Sequence, residues 1–218
     1  MIAPSTLTFL SELKANNHKE WFAANRSRYE AARNNFLDFV DHLIDGIAEY
    51  DGGVAGLEPK KCMFRINRDI RFSKNKAPYK TNFGAHIAPG GRKSPYAGYY
   101  LHLEPGQCFL AGGKYHPQPE ELRAIRTHIE GHAPRLRAIL AEPEFQAVYG
   151  EMKGDSLKTA PKGYPKDHPD LDLIRRKDFF VVHECGEEVM LSEEFADYVV
   201  SVFKVVQPLN AFLNEAVG

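Results

Sequence analysis

Ala97-Gly98-Tyr99-Tyr100-Leu101-His102-Leu103-Glu104-Pro105-Gly106-Gln107-Cys108-Phe109-Leu110-Ala111-Gly112 reads as two short alternating runs folded about one turn. Proline presets the second position of a tight turn and glycine tolerates the third, so residues 104–107 predict a turn. It joins a strand at 97–104 to one at 107–112. A two-residue Pro-Gly turn then sets the register. Leu103 pairs with Cys108 and Leu101 with Leu110 on an apolar face; His102 pairs with Phe109 and Tyr100 with Ala111 on the other. Upstream, Phe83, Ala85 and Ile87 alternate with Asn82, Gly84 and His86, which predicts a further strand. Residues 89–95, with Gly90-Gly91 and two prolines, read as a mobile loop between them.

Helical patterns flank this β region. Ser5 or Thr6 can cap a short helix carrying Leu7, Phe9, Leu10 and Leu13, ending near Asn16-Asn17. From His18 onward Phe22, Tyr29, Phe36, Leu43 and Tyr50 recur every seven residues, with Val40 and Ile47 between them. That spacing predicts one long amphipathic helix, packed on a sheet and ended by Gly52-Gly53. After Pro117 the chain turns helical again, with Glu120 and Glu121 in a first turn and Leu122, Ile125 and Ile129 on one face. Pro134 and Pro143 suit the first turns of two shorter helices. Residues 150–170 read as loop, residues 179–182 as a buried strand. Ser192 can cap a last helix carrying Phe195, Val199, Val202, Val206, Leu209 and Leu213, kinked at Pro208.

These elements predict one α+β domain over residues 1–218, with a central antiparallel, hairpin-rich sheet packed by a long N-terminal helix and a C-terminal helix. Its helical part spans 5–52, its β-rich part 60–112 and its second helical part 117–218. Hydrophobic residues at 43% and charged residues at 26% are ordinary globular usage. The three cysteines are widely spaced and form no CxxC pair, which argues against a disulfide framework or zinc knuckle and for buried thiols in a reducing cytoplasm. The first residues lack the basic and apolar regions of a signal peptide, and no run is long enough for a membrane span.

Charge is distributed unevenly. Between residues 60 and 80 lie Lys60, Lys61, Arg65, Arg68, Arg71, Lys74, Lys76 and Lys80, against the single acid Asp69, in a chain whose net charge is −1. A basic segment on an acidic background can focus an anionic ligand. Arginine offers a planar fork suited to carboxylate or phosphate, and lysine a compact charge. Phe64, Ile66, Ile70 and Phe72 support strand pieces interrupted near Asn67-Arg68. The expected ligand site therefore comprises Arg65, Arg68, Arg71, Lys74, Lys76, Tyr79 and Lys80, joined by Tyr100 and His102 from the hairpin. Asp69 would orient an arginine or act as a base.

Arg65, Arg68, Asp69, Arg71, Phe72, Lys76 and Tyr79 fill an Arg-x-x-Arg-Asp-x-Arg-Phe run followed by Lys and Tyr. This run resembles the hallmark of the DUF2461 family, mainly bacterial proteins of about this length. The similarity extends through residues 17–22 (Asn-His-Lys-Glu-Trp-Phe), Tyr99-Tyr100, Leu157 and residues 161–164 (Pro-Lys-Gly-Tyr). The resemblance implies membership without supplying an activity or a cofactor.

Three functional readings follow. The first is an enzyme acting on a phosphate-bearing or other small anion, clamped by Arg65, Arg68 and Arg71. The second is a non-catalytic nucleic-acid module using the same cations with exposed aromatics; a sequence pI of 6.8 counts against it. The third is a structural or interaction domain in which the cations form an internal ion-pair network. His86, His102 and Glu104 share a predicted sheet face, but without a recognised ligand spacing no metal is expected. Phosphate-loop and dinucleotide-loop spacings are both absent.

Overall fold

The computed structural model describes residues 1–218 apart from the side chain of Glu187. Its helices are α1 (Pro4–Ala15), α2 (Lys19–Ala24), α3 (Arg26–Ala48), α4 (Pro59–Cys62), α5 (Pro119–Ala141), α6 (Pro143–Val148), α7 (Leu171–Ile174), α8 (Glu187–Met190) and α9 (Phe195–Glu215). The strands are β1 (Phe83–Ile87), β2 (Gly98–Leu103), β3 (Cys108–Lys114) and β4 (Phe179–Cys185), forming one antiparallel sheet in the order β1-β2-β3-β4. The fold is α+β.

The Pro-Gly turn does what its chemistry demands. Leu101 pairs with Leu110, His102 with Phe109 and Tyr100 with Ala111. The even parity of the pleat then sorts the two faces. Phe83, Ala85, Ile87, Tyr99, Leu101, Leu103, Leu110 and Val181 are buried in the core cluster with Val199, Phe203 and Val206 of α9 and Phe36, Val40 and Leu43 of α3. His86, Tyr100, His102, Phe109, Ala111, Phe180 and Val182 stand on the opposite face. Among the described residues no helix covers that side as α9 covers the first.

Several helix ends differ from the expected ones. Pro4 opens α1 with Ala3 at the cap, and the Thr6 hydroxyl donates to Asn35 Oδ1 (2.8 Å) instead of capping. The heptad from His18 is divided at Asn25, which ends α2 and starts α3; its Nδ2 donates to the Trp21 carbonyl (2.9 Å). A short polar side chain competing for backbone partners interrupts the helix while the apolar stripe continues through it. Ser192 caps nothing, its hydroxyl donating to the Val189 carbonyl, and α9 begins at Phe195 and runs through Pro208. In α5 the break falls at His132 (φ −136°, ψ 21°), just before Pro134.

The basic segment forms no strand. Isolated bridges join Met63 to Ala85 and Asn67 to Tyr79, so residues 63–80 make an irregular arm lying along the free edge of β1. Phe64 N–H donates to the Gly84 carbonyl (2.9 Å) and covers part of that edge. The other edge is met by Lys153, whose N–H donates to the Phe180 carbonyl (2.8 Å). Residues 150–178 are accordingly pinned: Arg176 donates to the carbonyls of Met152 (2.9 Å) and Lys153 (2.6 Å), and Arg126 to those of Ile174 (2.8 Å) and Arg176 (3.0 Å).

Asn17 anchors the arm. Its Nδ2 donates to the Tyr79 carbonyl (3.0 Å) and its Oδ1 accepts from the Tyr79 N–H (3.0 Å), as a neighbouring strand would. Asn17→Ala leaves both backbone groups without these partners, and we expect a loss of about 1–3 kcal/mol. Urea denaturation measures the loss, and hydrogen exchange at the Tyr79 amide should accelerate by more than at Leu101.

Candidate functional site

The uncovered sheet face floors a cavity of about 920 Å³. Tyr100, Phe109, Ala111, Phe180 and Val182 rise from the strands, because alternate residues of a pleated sheet share one side. Phe64 of the arm, Tyr96 and Tyr115 wall it. The aromatics contact one another: Tyr100 lies 5.8 Å from Phe109 and 6.0 Å from Phe64, and Tyr115 meets Phe180 edge-on at 5.3 Å.

Cations border this apolar floor. Arg92 Nη1 donates to the carbonyls of Lys60 and Lys61 (both 3.0 Å), and no carboxylate among the described residues pairs with it. Lys114 is buried, bonded to the Pro95 carbonyl and paired with Glu121 at 3.0 Å. Lys80 holds its ammonium 5.2 Å from the Phe64 ring centroid; burial, and then the charge of Arg65, lower its pKa. Among the described residues neither Lys80 nor Arg65 forms an ion pair. Neither Arg92 nor Lys114 was singled out from sequence, since one lies in an apparent loop and the other at a strand end.

Behind Tyr100 runs a hydrogen-bonded chain. Glu104 Oε1 accepts from Lys14 Nζ (3.1 Å) and Thr81 Oγ1 (2.8 Å). Its Oε2 lies 3.3 Å from His102 Nε2, and His102 Nδ1 lies 3.4 Å from the Tyr100 hydroxyl and 3.3 Å from Asn82 Nδ2. The pattern assigns the proton to Nε2, donated to Glu104, and leaves Nδ1 to accept from Tyr100 and Asn82. Burial pulls His102 below the usual imidazole range against the opposing pull of Glu104, so the ring is neutral. Burial pushes the Tyr100 phenol up to about 12. On Glu104, desolvation acts upwards, but the bonds from Thr81, Lys14 and His102 outweigh it and hold the carboxyl low. Gly84 makes room for the phenol: a Cβ there would sit 2.8 Å from the Tyr100 oxygen. Chemically this is a neutral acid–base pair, phenol and imidazole, oriented by a carboxylate.

The other predicted residues are divided between two places. Tyr79 stacks on Phe22 (4.0 Å) and lines a second cavity of about 380 Å³ with Lys19, Arg26, Tyr29 and Asn67. The remainder form the tip of the arm. There Arg68 donates to the Ala77 carbonyl (3.0 Å), Lys76 to the Ile70 carbonyl (3.0 Å), and Arg71 makes a paired bond to Asp69 (2.7 and 3.0 Å). Each motif arginine thus takes a different environment, and the three do not form a single fork. Asp69 is held below its ordinary range by the Arg71 side chain and accepts the Arg71 N–H (3.2 Å), the geometry of a turn-forming residue. Lys74 projects from the tip exposed, with no ion pair among the described residues.

The question of His86, His102 and Glu104 resolves into separate parts. His102 meets Glu104, whereas His86 turns to the Tyr96 backbone and the larger cavity. Among the described residues no group of three His, Cys, Asp or Glu side chains is placed to hold a metal ion.

An open-faced antiparallel meander, backed by two long helices and edged by a cationic arm, is thus the kind of protein the chain forms. Residues 5–212 match the family described as conserved hypothetical protein, DUF2461, and the chain belongs to that family. No curated protein and no solved structure matches it. The Asn17–Tyr79 pairing ties two of the family-like segments together, residues 17–22 and 65–79. Among the described residues no helix is long and apolar enough to cross a membrane.

Proposed function

We propose that the protein binds a small anion with a planar, apolar portion in the cavity on its open sheet face. The observation that carries this reading is the aromatic floor beneath Arg92, a guanidinium with no carboxylate partner among the described residues. A pocket of this size, largely apolar with a few convergent polar groups, is the usual form of a small-molecule site. Arg65 and Lys80, beside Phe64, extend the positive rim. Tyr100, backed by His102 and Glu104, supplies a proton to or takes one from the bound molecule, so the site suits acid–base chemistry on an anionic substrate. Three free thiols support a reducing environment such as the cytoplasm.

Anilinonaphthalene sulfonate, a planar anion, tests the binding step. The folded protein should bind it saturably, with a fluorescence increase. Ala111→Trp, which fills the floor, should abolish the signal, and Arg92→Gln should weaken binding about tenfold, the equivalent of one charge-assisted hydrogen bond. Equal binding by all three proteins would place the dye elsewhere and reject the reading.

One observation favours a second reading. Phe72 at the arm tip is 97% exposed, flanked by Arg71 and Lys74. An exposed ring among cations can stack on an unpaired base. Single-stranded DNA or RNA should then bind with an affinity that falls steeply as salt rises, and Phe72→Ala should weaken it. No anisotropy change at low salt would remove this reading.

A further inference from the structure

Cys108 and Cys185 face each other directly across β3 and β4. Notwithstanding their separation in sequence, register puts their Cα atoms opposite. Opposed residues of an antiparallel pair stand about 4.5 or 5.5 Å apart, and both spacings fall inside the range a disulfide bridges. Opposed residues share one face of the pleat, here the core-facing side that also carries Leu110. Both thiols are reduced and buried, and both residues line the large cavity at its Gly106-Gln107 end.

We infer that Cys108 and Cys185 form a redox-active dithiol that a small peroxide converts to a cross-strand disulfide. Cys185 is the attacking sulfur. The close approach of the two thiols lowers the pKa of Cys185 and raises that of Cys108. Thiolate attack on the peroxide oxygen gives a sulfenic acid at Cys185 and releases an alcohol, or water from hydrogen peroxide. Cys108 then attacks the sulfenic sulfur, forming the S–S bond and expelling water. The balance is two thiols and one peroxide giving one disulfide, one alcohol and one water. Cys62 provides the contrast. It is buried without a second cysteine opposite, and burial pushes its thiol up to about 11. A buried thiol with that environment is inert.

Hydrogen peroxide titrated into the native protein tests this, with thiols counted after denaturation under acid quench. The count should fall from three to one, the mass should drop by two hydrogens, and peptide mapping should join Cys108 to Cys185. Dithiothreitol should restore all three. The Cys62→Ser protein should still form the bridge, which separates its chemistry from that of the isolated thiol. Three surviving thiols at a peroxide dose that oxidises free cysteine would overturn the inference. So would oxidation confined to Cys62, or bridges found only between molecules. Binding of the sulfonate dye plays no part in the measurement, so this result stands or falls independently of the cavity's ligand.

Discussion

Gly113→Ala should destabilise the protein by on the order of 3–5 kcal/mol, the largest effect of any single methyl group added to the sheet. Gly113 has φ +110°, a conformation that side-chain-bearing residues rarely adopt. A Cβ there would drive onto the Phe179 carbonyl oxygen and come within 2.7 Å of the Phe180 Cα. These are backbone atoms of the paired strand, so no rotamer change relieves the clash. The start of β4 must move away from β3, and Phe180, which walls the cavity, moves with it. Urea denaturation should show the loss, and sulfonate binding should weaken in parallel. Gly131→Ala is the control: inside α5 with no atom within 4 Å of an added Cβ, it should be neutral or stabilising. Similar stabilities for the two variants would show that β3 and β4 accommodate the methyl group.

Acid should weaken the fold well above the usual carboxylate range, with His86 the principal cause. Burial, reinforced by the nearby Lys114 charge, lowers His86 from 6.5 to about 4, against a hydrogen bond that the ring donates to the Tyr96 backbone and that acts upwards. Its folded-state pKa is depressed, so the unfolded chain takes up the proton first. The contribution is complete above pH 6.5 and is lost progressively as pH falls towards about 4. The expected loss from this one ring is roughly 2–3 kcal/mol. His102 and His128 are also pushed down by burial and add to the same limb. Glu104, a carboxyl held low, contributes stability that disappears only further into acid. Urea midpoints measured between pH 7 and pH 4 should therefore fall steeply, and His86→Asn should flatten the greater part of the decline. An unchanged slope in that variant would assign the limb to the other histidines.

Local pattern carried much of this architecture. Pro105-Gly106 admits one tight turn, and a period of two then decides which of Tyr99 to Leu103 face α9, so register and face were readable from a few residues. The apolar stripes of α3 and α9 were equally plain, because burial of one helix face imposes its own spacing. Helix ends were less so: Thr6 and Ser192 each chose a tertiary or neighbouring backbone partner over the expected cap, and Asn25, bonded to the Trp21 carbonyl, divided the expected single helix. The basic segment showed the limit most clearly. Its charge density was evident, but whether Arg65, Arg68 and Arg71 shared a face depended on a backbone that is neither helix nor strand. Asn17, far away in sequence, holds that backbone in place. The cavity needed more still: Phe64, Arg92, Phe109 and Phe180 come from four separate segments, and only closure of the sheet with its edge arm brings them together. The same holds for Cys108 and Cys185. A turn sets its register through adjacent residues, whereas a partnership across the long connection from β3 to β4, residues 115–178, is decided by how the whole core packs.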